Sequence, residues 1–250
     1  PGHEMTGTVV AIGKDVTEVK IGDPVAVDPS VYCGECFYCR RARGNLCEKW
    51  NALGVSMPGA AAQFLLSPKK NIHKLSKDID LKSAALIEPL SCAVRGYDQL
   101  PRIPGSHYLI YGSGTMGLMM AELARVNGAA SVSIIDLNKD KLATAKTLGF
   151  TNIATSADQF DQPRGFDVVI DCTGVVAAIK DGLKFLGTVD VEDNILVLRH
   201  ITRIHKLILS HSYQLPQEIY CFEDILSIDG SPEFSSLLNQ FINSTEKDHD

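Results

Sequence analysis

Over the first thirty residues apolar positions come in short runs that alternate with polar ones: Thr8-Val9-Val10-Ala11-Ile12, then Val16, Val19 and Ile21, then Val25-Ala26-Val27. Gly7, Gly13, Gly22, Pro24 and Pro29 punctuate them. Such spacing predicts short β-strands joined by tight turns. Residues 31–50 have almost no apolar periodicity, so they read as a loop that needs something other than a core to hold it. A weak strand signal returns at Phe64-Leu65-Leu66. From Leu81 the spacing turns helical: Leu81, Ala84, Ala85 and Leu86 precede Glu88-Pro89, and Leu90, Ala93, Val94 and Tyr97 continue the period. Proline suits a helix's first turn, where its missing N–H is not needed.

From residue 106 the pattern alternates strand and helix. His107 to Tyr111, Ser131 to Ile135 and Asp167 to Ile170 read as strands, with helices from Met116 to Val126 and from Lys139 to Leu148. Near-continuous apolar strands separated by helices predict a parallel sheet covered on both faces, an α/β fold. After Gly187 the regularity decays. Ile195 to Leu198 reads as one more strand, Ile201 to Ile208 as one side of a short basic helix, and the polar end from Ser244 as disordered.

Composition narrows the class. Two hundred and fifty residues, 45% hydrophobic, are enough for one large or two modest domains. A net charge of −6 without a basic block argues against nucleic acid or an anionic membrane as partner. No apolar run approaches the ~20 residues of a membrane span, and no leader-like segment opens the chain at Pro1. The expectation is a cytoplasmic protein, with a start that reads as that of a fragment or processed chain. In a reducing compartment, clustered cysteines are metal ligands more often than disulfides.

Cys33, Cys36, Cys39 and Cys47 place four thiols in one loop. Two-residue spacers let thiolates converge on one tetrahedral zinc ion, and four protein ligands leave no open position, so the site is expected to be structural. Gly34 and Gly44 are expected to supply the turns. A disulfide pair or an iron–sulfur cluster is the competing reading of the same residues.

Gly112-Ser113-Gly114-Thr115-Met116-Gly117 follows a strand and opens a helix. This is the context of a dinucleotide fingerprint. The first glycine makes the turn, the second lets backbone approach a pyrophosphate, the third lets helix and strand pack, and the helix N-terminus faces the phosphates. Asp136 ends the next strand, where it can hold both ribose hydroxyls and repel a 2′-phosphate, which favours NAD over NADP. Thr173-Gly174 loops past the C-terminal end of a later strand, on the side where such sheets bind ligand, and Asp171 beside it reads equally well as a helix cap. The competing reading is an ordinary glycine-rich turn.

Gly2-His3-Glu4, Gly7, Gly13 and Val16, then the four-cysteine lobe, then the glycine fingerprint, stand in an order that resembles the zinc-containing alcohol dehydrogenases of the medium-chain dehydrogenase family, over residues 1 to about 187. Ala85-Leu86-Ile87-Glu88-Pro89-Leu90-Ser91 is similar to the polyol branch (sorbitol, xylitol and arabinitol dehydrogenases) and to threonine dehydrogenases. The resemblance implies a partial GroES-like, β-rich catalytic domain over residues 1–95, with the zinc lobe at 31–50. A partial Rossmann domain, the doubly wound parallel sheet, follows over 96–187, and 188–250 stays unassigned. It implies His3 as a catalytic-zinc ligand, Glu4 as a ligand or the carboxylate just behind it, and Glu88 as a carboxylate on the metal or its water. In that chemistry zinc with an open position acidifies a bound alcohol, which passes hydride to the nicotinamide. His3 and Glu4 also admit a plain surface reading, and Glu88 that of a helix N-terminal acceptor.

The departures are equally specific. The family has some sixty residues before Gly-His-Glu, which bring a zinc-binding cysteine and a Ser or Thr that relays the substrate proton. Neither Cys92, on the helix after Glu88, nor Cys172, at a strand end, replaces that cysteine in the sequence reading. Gly59-Ala60-Ala61-Ala62-Gln63-Phe64 stands where the family has a more aromatic and acidic stretch, and residues 188–250 lack its Gly-Gly turn and closing strands. The expected function is NAD-linked oxidation of a polyol or secondary alcohol, with one structural zinc and one catalytic zinc that needs a further ligand. An inactive zinc- and nucleotide-binding paralogue or fragment, and a threonine-type amino alcohol dehydrogenase, are the alternatives. A homo-oligomer is usual in the family, though the altered ending argues against one here. Leu198 to Leu209 also admits a membrane-surface helix, and Asn243-Ser244-Thr245 fits a glycosylation acceptor that a cytosolic chain would not use.

Overall fold

A computed structural model describes residues 1–100, 103–187 and the backbone of 195–198. The readings placed on residues 201–208, 243–245 and the C-terminal end lie outside the described residues. The chain divides into two compact units, Pro1–Cys92 and Ala93–Asp250. The division falls inside one helix, three residues before the boundary the sequence suggests.

The first unit is built on β1 (Met5–Thr8), β2 (Pro24–Val27) and β5 (Ile72–Lys74), an antiparallel sheet in the order β1-β2-β5. β1 ends at Thr8, opposite Pro24; Val9 still exchanges backbone hydrogen bonds with Asp23 and Gly22, but the expected continuation to Ile12 is not a strand and leaves Val10 60% exposed. A second pair, β3 (Ser30–Val31) with β4 (Asn51–Ala52), brackets the cysteine loop. Buried Asn71 clamps the corner between β2 and β3 by donating from Nδ2 to the carbonyls of Asp28 and Ser30, both at 2.8 Å. Met5, Val27 and Leu53 form a small core, onto which Leu65 and Ile72 pack.

Phe64 to Leu66 is not a strand. No described strand pairs with it, and Phe64 and Leu66 are 71% and 92% exposed while only Leu65 turns inward. The helical region is broken in two: α1 (Leu81–Ala84), capped by Asp80, whose carboxylate accepts from the backbone of Lys82 and Ser83, then α2 (Ile87–Asp98), with Pro89 in its first turn.

The second unit is a five-stranded sheet in which every pairing is parallel. Its strands are β6 (His107–Tyr111), β7 (Ser131–Ile135), β8 (Ile153–Ala154), β9 (Val168–Asp171) and β10 (Ile195–Leu198), in the order β10-β9-β6-β7-β8. The helices are α3 (Thr115–Val126), α4 (Lys139–Thr147) and α5 (Val176–Phe185). Strand alternation makes two cores. Tyr108, Ile110, Ile134, Val168 and Ile170 face Met120, Ala121 and Ala124 of α3 and Ala145 of α4. Leu109, Tyr111, Ile135 and Val169 face Ile179 of α5 on the other side. The expected covered parallel sheet is the observed one. The chain runs outward from β6 to β8, then returns to β9 on β6's other flank, so the strand order reverses between β6 and β9. The loops that leave these two strands carry the glycine fingerprint and Thr173-Gly174. No helix among the described residues is long and apolar enough to cross a membrane.

Candidate metal and nucleotide sites

Two 3₁₀ turns, Cys39–Arg41 and Gly44–Leu46, fold the cysteine loop back on itself. They bring the Sγ atoms of Cys33, Cys36, Cys39 and Cys47 within 4.8 Å of one another. The Cys33–Cys47 and Cys33–Cys39 sulfur separations are 3.5 and 3.8 Å. These exceed the ~2.0 Å of a disulfide and match the roughly 3.8 Å edge of a tetrahedron with Zn–S bonds of ~2.3 Å. Backbone N–H groups already point at the sulfurs: Cys36 donates to Cys33 Sγ at 3.4 Å, and Cys33 and Lys49 to Cys47 Sγ at 3.3 Å. N–H donors pull the Cys33 thiol down and bring that of Cys36 to about 6, while burial pushes Cys39 up to about 12. The donor set fits a soft divalent cation, which would let all four ionise together. Gly34, at φ +80°, makes the expected turn. Gly44 opens the second 3₁₀ turn, also as expected, and is needed there because a Cβ would lie 2.9 Å from the Tyr32 ring.

A second cluster joins residues far apart in sequence. His3, Glu4 and Glu88 each offer a ligand atom within 4.8 Å of the others, all inside the first unit. Glu88 lies in the first turn of α2, half-buried; burial raises its carboxyl above the usual range, Glu4 adds to the rise and His3 opposes it. His3 and Glu4 precede β1 on a segment held by two backbone hydrogen bonds, Ala60 N–H to the Gly2 carbonyl at 3.0 Å and Ala61 N–H to the Pro1 carbonyl at 2.9 Å. Those bonds require a bare backbone opposite. A Cβ on Gly54 would sit 2.0 Å from the Gly2 oxygen, and one on Gly59 2.5 Å from the same atom. The small-residue stretch from Gly59 is thus the floor beneath His3, a role that the sequence reading registers only as a departure. One turn along α2, the Cys92 thiol is 3.8 Å from Glu88 Oε1. Cys92 stands outside the three-residue cluster, and its place four residues on from Glu88 along α2 sets it beside that carboxylate. One nitrogen and two carboxylates fit a borderline cation such as zinc, with room for a further ligand.

In the second unit, Gly112 follows β6 at φ +96°, a conformation that suits glycine. A Cβ on Gly117 would lie 1.8 Å from the Gly112 carbonyl oxygen, so the third glycine is what seats α3 against β6. Gly114 would meet nothing within 4 Å, leaving bare backbone and open space at the start of α3. Gly114 caps α3 without a side chain, so the N–H groups of Thr115, Met116 and Gly117 remain for an anion. Asp136, just past β7, accepts at Oδ2 from the Ser113 N–H (2.8 Å) and hydroxyl (3.0 Å) and at Oδ1 from the Asn138 N–H (2.8 Å). Partial burial works against its ionisation, but those donors and Lys141 outweigh it and hold the carboxyl below the ordinary range. Asp171 is not a helix cap. It is buried, and it ties down the loop after β9 by accepting from Thr173 N–H and Oγ1–H at Oδ1 and from Gly174 N–H at Oδ2. Thr173 Cγ2 borders the space beside Gly112, which sets the two loops side by side.

Residues 1–77 match the alcohol dehydrogenase GroES-like domain and residues 115–188 the zinc-binding dehydrogenase domain. Among curated relatives, D-arabinitol dehydrogenase 1 of Uromyces fabae is 34% identical over 74% of this chain and 56% of its own length. D-altritol 5-dehydrogenase of Agrobacterium fabrum is 33% identical over 89% of this chain and 71% of its own. That second alignment runs past residue 187, into the segment the sequence reading sets apart from the family. A structure described as a zinc-binding dehydrogenase of Sinorhizobium meliloti 1021, bound to NADP, superposes with a TM-score of 0.71 at 30% identity, covering 78% of this chain and 59% of that one. The chain therefore spans little more than half the length of several proteins it matches. With both domains matched in order and polyol dehydrogenases among its relatives, the chain belongs to the zinc-containing alcohol dehydrogenase family of medium-chain dehydrogenases, in its polyol dehydrogenase-like branch.

Proposed function

We propose that this protein oxidises a secondary alcohol of a polyol, passing hydride to NAD, with one structural and one catalytic zinc site. The observation that carries the reading is the convergence of His3, Glu4 and Glu88, a second metal-capable cluster distinct from the four cysteines. Zinc held there would act as a Lewis acid toward the substrate hydroxyl. His3 would offer it a nitrogen donor, and Glu4 and Glu88 carboxylate oxygens. Gly54 and Gly59 pack bare backbone against the Gly2 carbonyl, which holds the segment that carries His3.

In the second unit the open backbone at Gly114 and the first turn of α3, from Thr115 through Gly117, take the pyrophosphate. Asp136 accepts a ribose hydroxyl, and its charge disfavours a 2′-phosphate. Thr173 and Gly174 line the other side of the crevice where the strand order reverses. A cytoplasmic, NAD-rich setting suits this assignment.

The test is reduction of NAD, followed by absorbance of the product, with arabinitol, sorbitol, xylitol and L-threonine offered in turn. Turnover of a polyol that His3→Ala abolishes, with the four-cysteine zinc retained, supports the reading. Turnover of threonine alone reassigns the substrate, and turnover that survives His3→Ala overturns the metal assignment.

A further inference from the structure

Inside the glycine fingerprint, Ser113 is 2% exposed, and both its donors end on one atom. Its N–H and its hydroxyl reach Asp136 Oδ2 at 2.8 and 3.0 Å. Two donors from one residue on one oxygen fix the carboxylate's rotation as well as its position. The Asn138 N–H, at 2.8 Å on Oδ1, holds the opposite corner. A carboxylate offers about four acceptor sites, and among the described residues three of them are filled. The remaining site is aimed by the other three.

We propose that Ser113 is a positioning residue for nucleotide choice: its hydroxyl locks Asp136 in the orientation that accepts the ribose of NAD and meets a 2′-phosphate head-on. This rests on the reading of Asp136 as the ribose ligand. The physical basis is that discrimination against an extra phosphate depends on a charge that cannot swing away; without the hydroxyl each carboxylate oxygen keeps a single backbone donor, and the second bond on Oδ2 is what tightens the orientation. The bond also stabilises the ionised form, since a hydrogen bond to the charged state lowers a carboxyl's pKa. Lys141 of α4 is the charged group that reinforces it.

The experiment measures NAD and NADP dissociation constants by calorimetry for the full chain and for Ser113→Ala, Ser113→Thr, Asp136→Ala and the Ser113→Ala/Asp136→Ala double variant. Thermal melts confirm that each is folded. Ser113→Ala is expected to weaken NAD binding roughly tenfold, the factor one hydrogen bond to a charged group is worth, while leaving NADP within about twofold. Its NAD binding should also be lost at higher pH on acidification than in the parent chain. Ser113→Thr keeps the hydroxyl and should restore the parent preference. In the Asp136→Ala background the serine change should have no further effect. If Asp136→Ala shifts the NAD-to-NADP ratio and Ser113→Ala does not, the proposal for Ser113 fails while the ribose assignment stands. If Asp136→Ala leaves the ratio unchanged, the ribose assignment itself fails.

Discussion

The site in the first unit depends on places where a side chain would not fit. A methyl group at Gly54 would lie 2.0 Å from the Gly2 oxygen, in a residue whose φ of +81° already disfavours alanine. Gly54→Ala should therefore destabilise the first unit by roughly 2–4 kcal/mol, combining strain with overpacking. It should also weaken zinc binding at the His3 cluster more than at the cysteines. A melting curve with site-resolved metal titration checks both; an unchanged melt would show that the His3 segment is not held as described. Asp23 offers a test of a different kind. It is buried, and the Lys74 ammonium at 2.6 Å, helped by the Lys20 N–H, holds its carboxyl below the ordinary range. A lowered carboxyl stabilises the fold above its unfolded pKa of about 3.9 and loses that contribution as pH falls through the folded value. The parent chain should be more stable than Asp23→Asn at pH 7, with the gap closing below about pH 4. Denaturation midpoints across that range measure it, and a gap that does not change with pH would contradict the ion-pair account.

At the scale of elements, legibility followed length and burial. The parallel strands were readable because each is a run of apolar residues buried on both faces; β6 and β7 fall where the pattern puts them. The first unit hides its strands, since β3 and β4 are two residues each and β5 is Ile72-His73-Lys74, whose last two side chains face solvent. Phe64 to Leu66 misled for the converse reason: apolar residues without a partner strand remain loop. The cysteine lobe was legible because its chemistry is local, four thiols in fifteen residues. The His3–Glu4–Glu88 cluster was not, because 84 residues separate its histidine from its last carboxylate, and only family resemblance linked them. If metal is what holds the lobe, Cys47→Ser should open residues 31–50 to protease and release one zinc per chain, with NAD affinity unchanged. Resistance of that loop to cleavage in the variant would show that its turns suffice alone.

For the whole molecule, the proposed function assigns metal chemistry to the first unit and nucleotide chemistry to the second. NAD at a hundred times its dissociation constant should stabilise the unit that binds it by about 2.7 kcal/mol. Hydrogen exchange should then slow across residues 107–136 and stay unchanged across 31–50; protection confined to the first unit would reverse the assignment. The central claim is that this chain holds two metals of different character, one enclosed by thiolates and one left with room for chemistry. Zinc content, measured by elemental analysis on protein equilibrated with zinc and freed of excess, tests it most directly. The account predicts two zinc ions per parent chain and one in a His3→Ala/Glu88→Ala variant, with the remaining ion lost only when the cysteines are replaced. One zinc per chain in both parent and variant would contradict it.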